Sequence, residues 1–222
     1  MNITEELKPL FYPDSVALIG ASGNPAKVGH RILKVLKKTV SDLYPVHPTA
    51  EKVLGLKVVN TIEDLPNNIS LAVITISAIN AVKAVRSCAE KGIKIIVIVS
   101  GGFGEIGEEG SLLEDELKRI HKEYGTRMLG PNSLGIFLPE TGLDTIFVEH
   151  GDKALSGGGG IAFITQSGSV GTEALGLASN AGYGMRAFVG LGNKVDLTET
   201  HFLEYFTADP KTNCLAFYNE SI

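Results

Sequence analysis

Between residues 15 and 130 short apolar runs alternate with stretches of helical period, and most of the runs end in a loop of small residues. No other feature constrains the fold as tightly. "SVALIG" (15–20), "SLAVITI" (70–76), "IKIIVIVS" (93–100) and "TRMLG" (126–130) read as buried strands, "DLYPVHP" (42–48) as a short extended piece stopped by prolines, and "KVVN" (57–60) as a further strand candidate. Between them Val28, Ile32, Val35 and Leu36 recur at helical spacing over 28–40. Helices are also predicted over 80–91, ended at Gly92, and over 111–124 behind the glycine-rich loop 101–110. Strands apolar on both faces and separated by helices build a mostly parallel sheet with right-handed crossovers, a doubly wound α/β fold.

The pattern breaks at "HGDKALSGGGG" (150–160), which has no hydrophobic period, and then restarts. "GIAFIT" (160–165) is a strand, 169–181 a helix, 185–190 a strand, 198–207 a helix and "CLAFY" (214–218) a strand. The expected organisation is a first domain over 1–150, a Gly-rich linker over 151–159 and a second parallel α/β unit over 160–222. The second unit is short against a usual domain of about 100–150 residues. It stops just after an apolar strand that a helix should follow, so it reads as incomplete.

Composition narrows the function. With 44% hydrophobic and 20% charged residues the chain is an ordinary globular one, and a net charge of −5 gives no broad basic field for nucleic acid or an anionic membrane. Arg31, Lys34, Lys37 and Lys38 read as the wet face of a helix. No apolar run approaches the roughly 20 residues of a membrane span, and the N-terminus lacks the basic-then-apolar pattern of a signal peptide. The two cysteines, Cys88 and Cys214, have no metal or disulfide spacing, and both are expected to be buried, reduced thiols in a cytoplasmic protein. The acidic first turn of the 111–124 helix suits the helix dipole, and its acids read as a solvated face, not as a metal site.

In an open parallel sheet ligands bind beyond the carboxyl ends of the strands. The first such loop, "GASGNPAKVG" (20–29), spaces its glycines at Gly20, Gly23 and Gly29, which is not the dinucleotide fingerprint, and the second strand ends in His47–Pro48 where that fingerprint wants an acid. The P-loop pattern occurs nowhere in the chain. What remains is a phosphate-bearing ligand held by Lys27, the Ser22 hydroxyl and the amides of the turn, or else a tight turn with no ligand. "FITQSGSVG" (163–171) repeats the design: Gln166, Ser167 and Gly168 stand where a helix N-terminus could take a small phosphoryl group, or where Ser167 simply caps the helix.

"VALIGASGNPAKVG", "YPVHP", "SGGFGEIGEEG", "RMLGPNSLG", "ITQSGSVGTEAL", "GLGNKVDLTETHFLEYFTADPKT" and "YNESI" follow one another in an order and spacing that resemble the α part of NDP-forming acyl-CoA synthetases. That family comprises ADP-forming acetyl-CoA synthetases and, more distantly, the succinyl-CoA synthetase α subunit. The resemblance covers nearly the whole chain. It implies a Rossmann-like CoA-binding domain followed by a flavodoxin-like one, and a reaction joining acid, CoA and ATP into acyl-CoA, ADP and phosphate through an acyl phosphate and a phosphohistidine. ATP, ADP and Mg would sit on a separate ATP-grasp domain or subunit, which fits the missing P-loop. By resemblance Gly20, Ala21, Ser22, Pro25, Lys27 and Gly29 contact the CoA phosphates. Tyr44, Pro45, Val46, His47 and Pro48, with Ile76, Ser77 and Ala78, flank its nucleotide end. Ser100, Gly101 and Gly102 line the pantetheine path, and Asn132 and Ser133 face the acyl and thiol end. Gln166, Ser167 and Gly168 hold the phosphoryl group, and Glu220 orients the active-site histidine, a carboxylate on one ring nitrogen raising the nucleophilicity of the other.

Three positions depart from the family: Ser133 replaces a usual cysteine, Ser221 a usual glycine, and the five histidines (His30, His47, His121, His150, His201) all precede Glu220, whereas the family's phosphorylated histidine follows it. His201 is expected to be a surface or capping residue. The expectation is therefore a CoA-binding subunit or fragment of such a ligase, paired with an ATP-grasp partner, a second copy of itself, or both. It would bind CoA or acyl-CoA without being phosphorylated itself. The alternatives are a non-catalytic CoA-binding sensor or scaffold and, more weakly, a nicotinamide-dependent oxidoreductase. Thermal unfolding with titrated ligand separates these: CoA at 100 times its dissociation constant should add about 2.7 kcal/mol of stability and NAD none, and the reverse order would favour the oxidoreductase.

Overall fold

The computed structural model describes residues 2–148 and 159–221. The chain opens with a helix, α1 (Ile3–Phe11), started by Asn2, whose side chain accepts the Thr4 N–H. Strand β1 (Val16–Ile19), helix α2 (Val28–Thr39) and strand β2 (Leu43–Val46) follow. A small hairpin, β3 (Lys52–Val53) with β4 (Leu56–Lys57), leads to strand β5 (Leu71–Ile74), helix α3 (Ala78–Glu90) and strand β6 (Ile95–Ile98). A 3-10 turn at Gly104–Ile106 precedes helix α4 (Glu108–Tyr124) and strand β7 (Arg127–Leu129). Then come β8 (Gly135–Leu138), β9 (Leu143–Asp144), β10 (Ile161–Thr165), α5 (Gly168–Ala181), β11 (Met185–Gly190), α6 (Glu199–Thr207) and β12 (Cys214–Tyr218).

The first sheet is parallel throughout, in the order β2-β1-β5-β6-β7. Its central strands are buried along their whole length, and their alternation divides them between two cores. Val16, Leu18, Leu71, Val73, Ile95 and Val97 pack with α1 and α2, whereas Ala17, Ile19, Ala72, Ile74, Ile96 and Ile98 pack with α3 and α4. The chain runs outward from β1 to β2 on one side and from β5 onward on the other. The strand order therefore reverses between β1 and β5, and the 20–29 loop stands at that reversal. On α2 the exposed positions Arg31, Lys34, Lys37 and Lys38 form the expected wet face.

The second sheet has the order β12-β10-β11-β8-β9. Strands β10, β11 and β12 are parallel, while β8 runs antiparallel to β11 and β9 antiparallel to β8. Residues 135–144 thus hydrogen-bond into the second sheet although they precede the glycine-rich segment, most of which lies outside the described residues. Cys88 is buried, and burial pushes its thiol up to about 12. Cys214 corrects the expectation of two buried thiols. It is exposed, because β12 is an edge strand whose Cys214, Phe217 and Tyr218 all reach the surface.

The two sheets share one core. The α1/α2 face of the first sheet continues into Ala162, Ile164, Ala187 and Val189 of the second. Helix α1 is the wedge. Phe11, fully buried, meets the rings of Phe202, Tyr205 and Phe206 on α6 at centroid distances of 6.3, 4.8 and 5.3 Å. Burying one such ring is worth about 1.5–3 kcal/mol, more than an exposed ion pair at about 0–1 kcal/mol, so apolar packing dominates the joint. Two buried arginines fix its register. Arg186 on β11 bonds Asp209 (2.6 Å) and the Tyr12 hydroxyl (3.0 Å) and pairs with Glu140 (3.0 Å). Arg127 on β7 donates twice to Asp196, from Nε (2.9 Å) and Nη2 (3.0 Å), and from Nη1 to Glu6 of α1 (2.7 Å).

Asp196 also accepts the Met128 N–H at 2.8 Å. Its neighbours run along the free edge of β7: Asn193 N–H bonds Pro131 O (2.8 Å), Val195 N–H bonds Gly130 O (3.0 Å) and Leu197 N–H bonds Met128 O (3.0 Å). The loop after β11 thereby completes the edge of the first sheet. Removing one partner of a buried ion pair costs about 3–5 kcal/mol because the other charge is left uncompensated. Asp196→Ala should therefore destabilise by that amount. Glu6→Ala should cost within about 1 kcal/mol, since the Glu6 side chain is 30% exposed against 5% for Asp196. Urea midpoints of the two variants measure the difference, and equal losses would refute this account of the joint.

Candidate functional site

Because the strands of the first sheet are parallel, their carboxyl ends share one edge, and the strand order sets the sequence of loops along it. From one side to the other stand Tyr44–Pro48, which run from within β2 past its end, the 20–29 loop after β1, Ile76–Ala78 after β5, Ser100–Gly102 after β6 and Asn132–Ser133 after β7. All the expected CoA-contacting segments therefore lie on this edge in one row.

The first loop is drawn tightly against its neighbours. Gly20 and Ala21 donate their N–H groups to Val46 O on β2. A Cβ on Gly29 would stand 1.9 Å from Gly20 O, so only glycine lets α2 start this close to β1. Gly20 has φ +95°, and a Cβ there would meet Ile76 at 2.6 Å. At the tip Ser22 Oγ accepts the Asn24 N–H and Asn24 Oδ1 accepts the Ala26 N–H. Lys27, the residue before α2, is exposed, and its side chain makes no hydrogen bond or ion pair among the described residues. The N–H groups of Val28 and Gly29, in the first turn, have no partner within the helix. The loop thus offers an exposed cation, unpartnered among the described residues, and free donors over a floor of glycine.

The neighbouring loops are tied to one another. His47 Nδ1 accepts the N–H groups of Thr49 and Ala50, which fixes the turn after β2. Ser77 precedes α3 without capping it, and its hydroxyl accepts from Asn80 Nδ2. Ser100 is buried, and its carbonyl accepts the Asn132 N–H at 2.8 Å. The Gly102 N–H bonds Glu105 Oε1 at 2.5 Å. Glu105 and Glu114 both accept from Asn193 Nδ2 at 2.6 Å, so the loop after β6 is held to the loop after β11. Burial works to raise the Glu105 carboxyl, but the donors Asn193 and Gly102 outweigh it and hold it below its ordinary range. Asn132 adopts φ +56°, and Ser133, fully enclosed, donates to Gly190 O and accepts the Gly135 N–H.

At the end of this row the second unit closes in. Asn132, Ser133 and Leu134 line one wall of a cleft of about 230 Å³, and Gln166, Ser167, Gly168 and Glu220 line another, with Val99 and Phe147 completing it. The expected acyl-end and phosphoryl-end residues, which come from separate sheets, thus meet in one place. Ser167 caps α5, its Oγ accepting the Val170 N–H, and the cleft faces that helix start. Gln166 is committed elsewhere: its Oε1 accepts the N–H groups of Glu220 (3.0 Å) and Ser221 (3.1 Å), and its own N–H bonds Tyr218 O. Sequence reasoning missed Lys194, whose Nζ donates to Ser221 O at 2.6 Å and pairs with Glu199. The segment "GLGNKV" stood out in the sequence, but nothing in it signals a lysine at φ +58°.

None of the four described histidines lines the cleft. His30 Nδ1 is 3.0 Å from Ser22 O, His47 fixes its own turn, and His121 Nδ1 is 2.9 Å from Thr126 O. His201 is the capping residue expected, its Nδ1 accepting the Thr198 N–H, and burial together with the Arg127 charge lowers its affinity for a proton. Among the described residues no group of three His, Cys, Asp or Glu could hold a metal ion, and no helix is long and apolar enough to cross a membrane. A larger depression of about 380 Å³, beside Tyr12, Thr39 and Thr141, lies at the amino ends of β1 and β2 and contains none of the expected site residues.

Known proteins resemble this chain over nearly its whole length. Residues 14–139 match the family model of a CoA binding domain, and residues 158–222 that of a succinyl-CoA ligase like flavodoxin domain. The chain is 38% identical over 98% of its length to an acetate–CoA ligase (ADP-forming) of Methanocaldococcus jannaschii, covering 30% of that protein. It is 35% identical over 96% of its length to the α subunit of acetate–CoA ligase (ADP-forming) II of Pyrococcus furiosus, covering 46% of it. Among solved structures, the acetyl-coenzyme A synthetase 1 of Ca. Korarchaeum cryptofilum, in complex with phosphate and ADP, superposes with a TM-score of 0.87 at 34% identity, over 97% of this chain and 46% of that one. The chain therefore spans less than half the length of these relatives.

The two loop glycines make opposite predictions. Gly29→Ala forces α2 away from Gly20 O and should lower the thermal midpoint and disturb the amide spectrum of residues 20–30. Gly23→Ala, with nothing within 4 Å of its added methyl, should leave both unchanged. Matching spectra for the two variants would contradict the close approach.

Proposed function

Because this chain belongs to the CoA-binding domain family and joins to that domain a succinyl-CoA ligase-like flavodoxin domain, we propose that it is the CoA-binding α part of an ADP-forming acid–CoA ligase. The reaction is acid + CoA + ATP to acyl-CoA + ADP + phosphate, passing through an acyl phosphate and a phosphohistidine. The observation that carries this reading is the cleft in which Asn132 and Ser133, at the end of the row of loops, meet Gln166, Ser167, Gly168 and Glu220.

The row suits an elongated ligand with phosphates at one end and a reactive thiol at the other. Tyr44–Pro48 and Ile76–Ala78 flank the nucleotide end. Lys27, Ser22, Ala21 and the glycines of the first loop take the phosphates, with Pro25 shaping the loop tip, and Ser100, Gly101 and Gly102 let the pantetheine arm pass along the backbone. The thiol then arrives beside Asn132 and Ser133, where the acyl group is transferred. Across the same cleft the free N–H groups at the start of α5 stabilise a phosphoryl anion, aided by the helix dipole. Glu220 accepts a hydrogen bond from one ring N–H of a histidine supplied from outside the described residues, which fixes the tautomer and leaves the other nitrogen as the phosphoryl acceptor. ATP and Mg would be held by an ATP-grasp domain or subunit, and delivery from there to this cleft requires a partner surface.

The test uses the assembled ligase, the chain together with its nucleotide-binding partner. A charge-assisted hydrogen bond is worth about 1.5–3 kcal/mol, so Lys27→Ala should raise the dissociation constant for CoA by roughly ten- to a hundred-fold. Glu220→Gln should leave CoA affinity unchanged and slow the appearance of acid-labile phosphoprotein from labelled ATP. Absence of any phosphoprotein in the unsubstituted assembly, with CoA binding intact, would replace the ligase by a non-catalytic CoA-binding module.

A further inference from the structure

Resting on that reading, we infer that Gln166 is a positioning residue that holds Glu220 in the cleft and is not itself a ligand of the phosphoryl group. The side-chain oxygen, one side-chain N–H and the main-chain N–H of Gln166 all have partners on or next to the segment that carries Glu220. Its Oε1 accepts the N–H groups of Glu220 at 3.0 Å and Ser221 at 3.1 Å, and its Nε2 donates to Ser221 Oγ at 3.1 Å. Its main-chain N–H donates to Tyr218 O at 2.9 Å. Two backbone donors facing one end of the amide require that end to be the oxygen, which fixes the orientation of the side chain.

A phosphoryl group binds donors, and of the two Nε2 hydrogens of Gln166 one is engaged by Ser221 Oγ, while its oxygen, which would repel an anion, is held on the Glu220 and Ser221 N–H groups. The anion is left to the unpaired N–H groups of the α5 start at Ser167 and Gly168. What Gln166 does instead is join β10 to the residues just beyond β12, so the segment bearing Glu220 is pinned from the strand end that opens into the cleft. Lys194 pins the far side of the same segment through Ser221 O at 2.6 Å, and is itself held by Glu199. An exposed two-residue segment gains a single conformation from these contacts, and the Glu220 carboxylate inherits it.

Two substitutions separate positioning from ligation. Gln166→Met keeps the length and removes the amide. Gln166→Glu keeps an acceptor for the Glu220 and Ser221 N–H groups but adds a negative charge beside the phosphoryl position. If Gln166 positions Glu220, hydrogen exchange of the 220–221 amides should quicken in Q166M and stay near the unsubstituted rate in Q166E. Phosphoprotein formation in the assembled ligase should fall on the order of ten-fold or more in Q166M, because a small misplacement of a reacting group costs that much, and less in Q166E, with CoA affinity the same in all three. If Gln166 ligates phosphate, the order inverts, Q166E being the slower variant, and the inference is overturned. Equal exchange rates in the unsubstituted protein and Q166M overturn it as well, and that measurement needs no catalysis, so it stands apart from a failure of the ligase reading.

Discussion

The buried pair between Arg127 and Asp196 is the interaction on which the rest of the structure depends. It ties the last strand of the first sheet to the loop that follows β11 of the second, and Glu6 brings α1 into the same contact. Its own net energy is modest, since desolvating two charges offsets much of their attraction. Its consequence is positional. With Asp196 fixed on the Met128 N–H, residues 193–197 lie along the edge of β7. Asn193 then reaches Glu105 and Glu114 near the loop after β6, and Lys194 reaches the segment bearing Glu220. One ion pair sets how the two halves of the cleft face each other.

The second constraint is topological. A parallel sheet delivers all its carboxyl ends to one edge, and its strand order lines up the loops there. This edge is made of loops rich in glycine, serine and alanine, and the close approach of α2 to β1 admits no side chain at position 29. Such an edge can cradle an extended ligand along the backbone, while charge is supplied sparingly, by Lys27 at one end and by a helix start at the other.

Much of this was legible in the sequence because parallel strands buried on both faces, such as "VALI" and "IIVI", announce themselves as apolar runs, and the loops that follow them are marked by small residues. The two parallel α/β units follow from the same signals, whereas their coenzyme-binding and flavodoxin-like character rests on the ordered motifs that resemble the family. What was hidden depends on contacts between distant residues. Helix α1 has Pro9 within it, and the partners of its Phe11 lie on α6, near the other end of the chain. The pair β8–β9 is short and antiparallel and joins a sheet whose other strands come later in the sequence. Cys214 looked like a core thiol because "CLAFY" is apolar, yet an edge strand leaves it in solvent. At the site, Gln166 was visible only as part of a helix start, and its true neighbours are more than fifty residues downstream.

The central claim is that the row of loops and the cleft at its end form one ligand site. Amide chemical-shift mapping during a CoA titration tests it most directly. The account predicts perturbations at the carboxyl ends of all five strands of the first sheet, at 44–48, 20–29, 76–78, 100–102 and 132–133, ending at the cleft. Shifts confined to the depression around Tyr12, Thr39 and Thr141, or no saturable shifts at all, would contradict it.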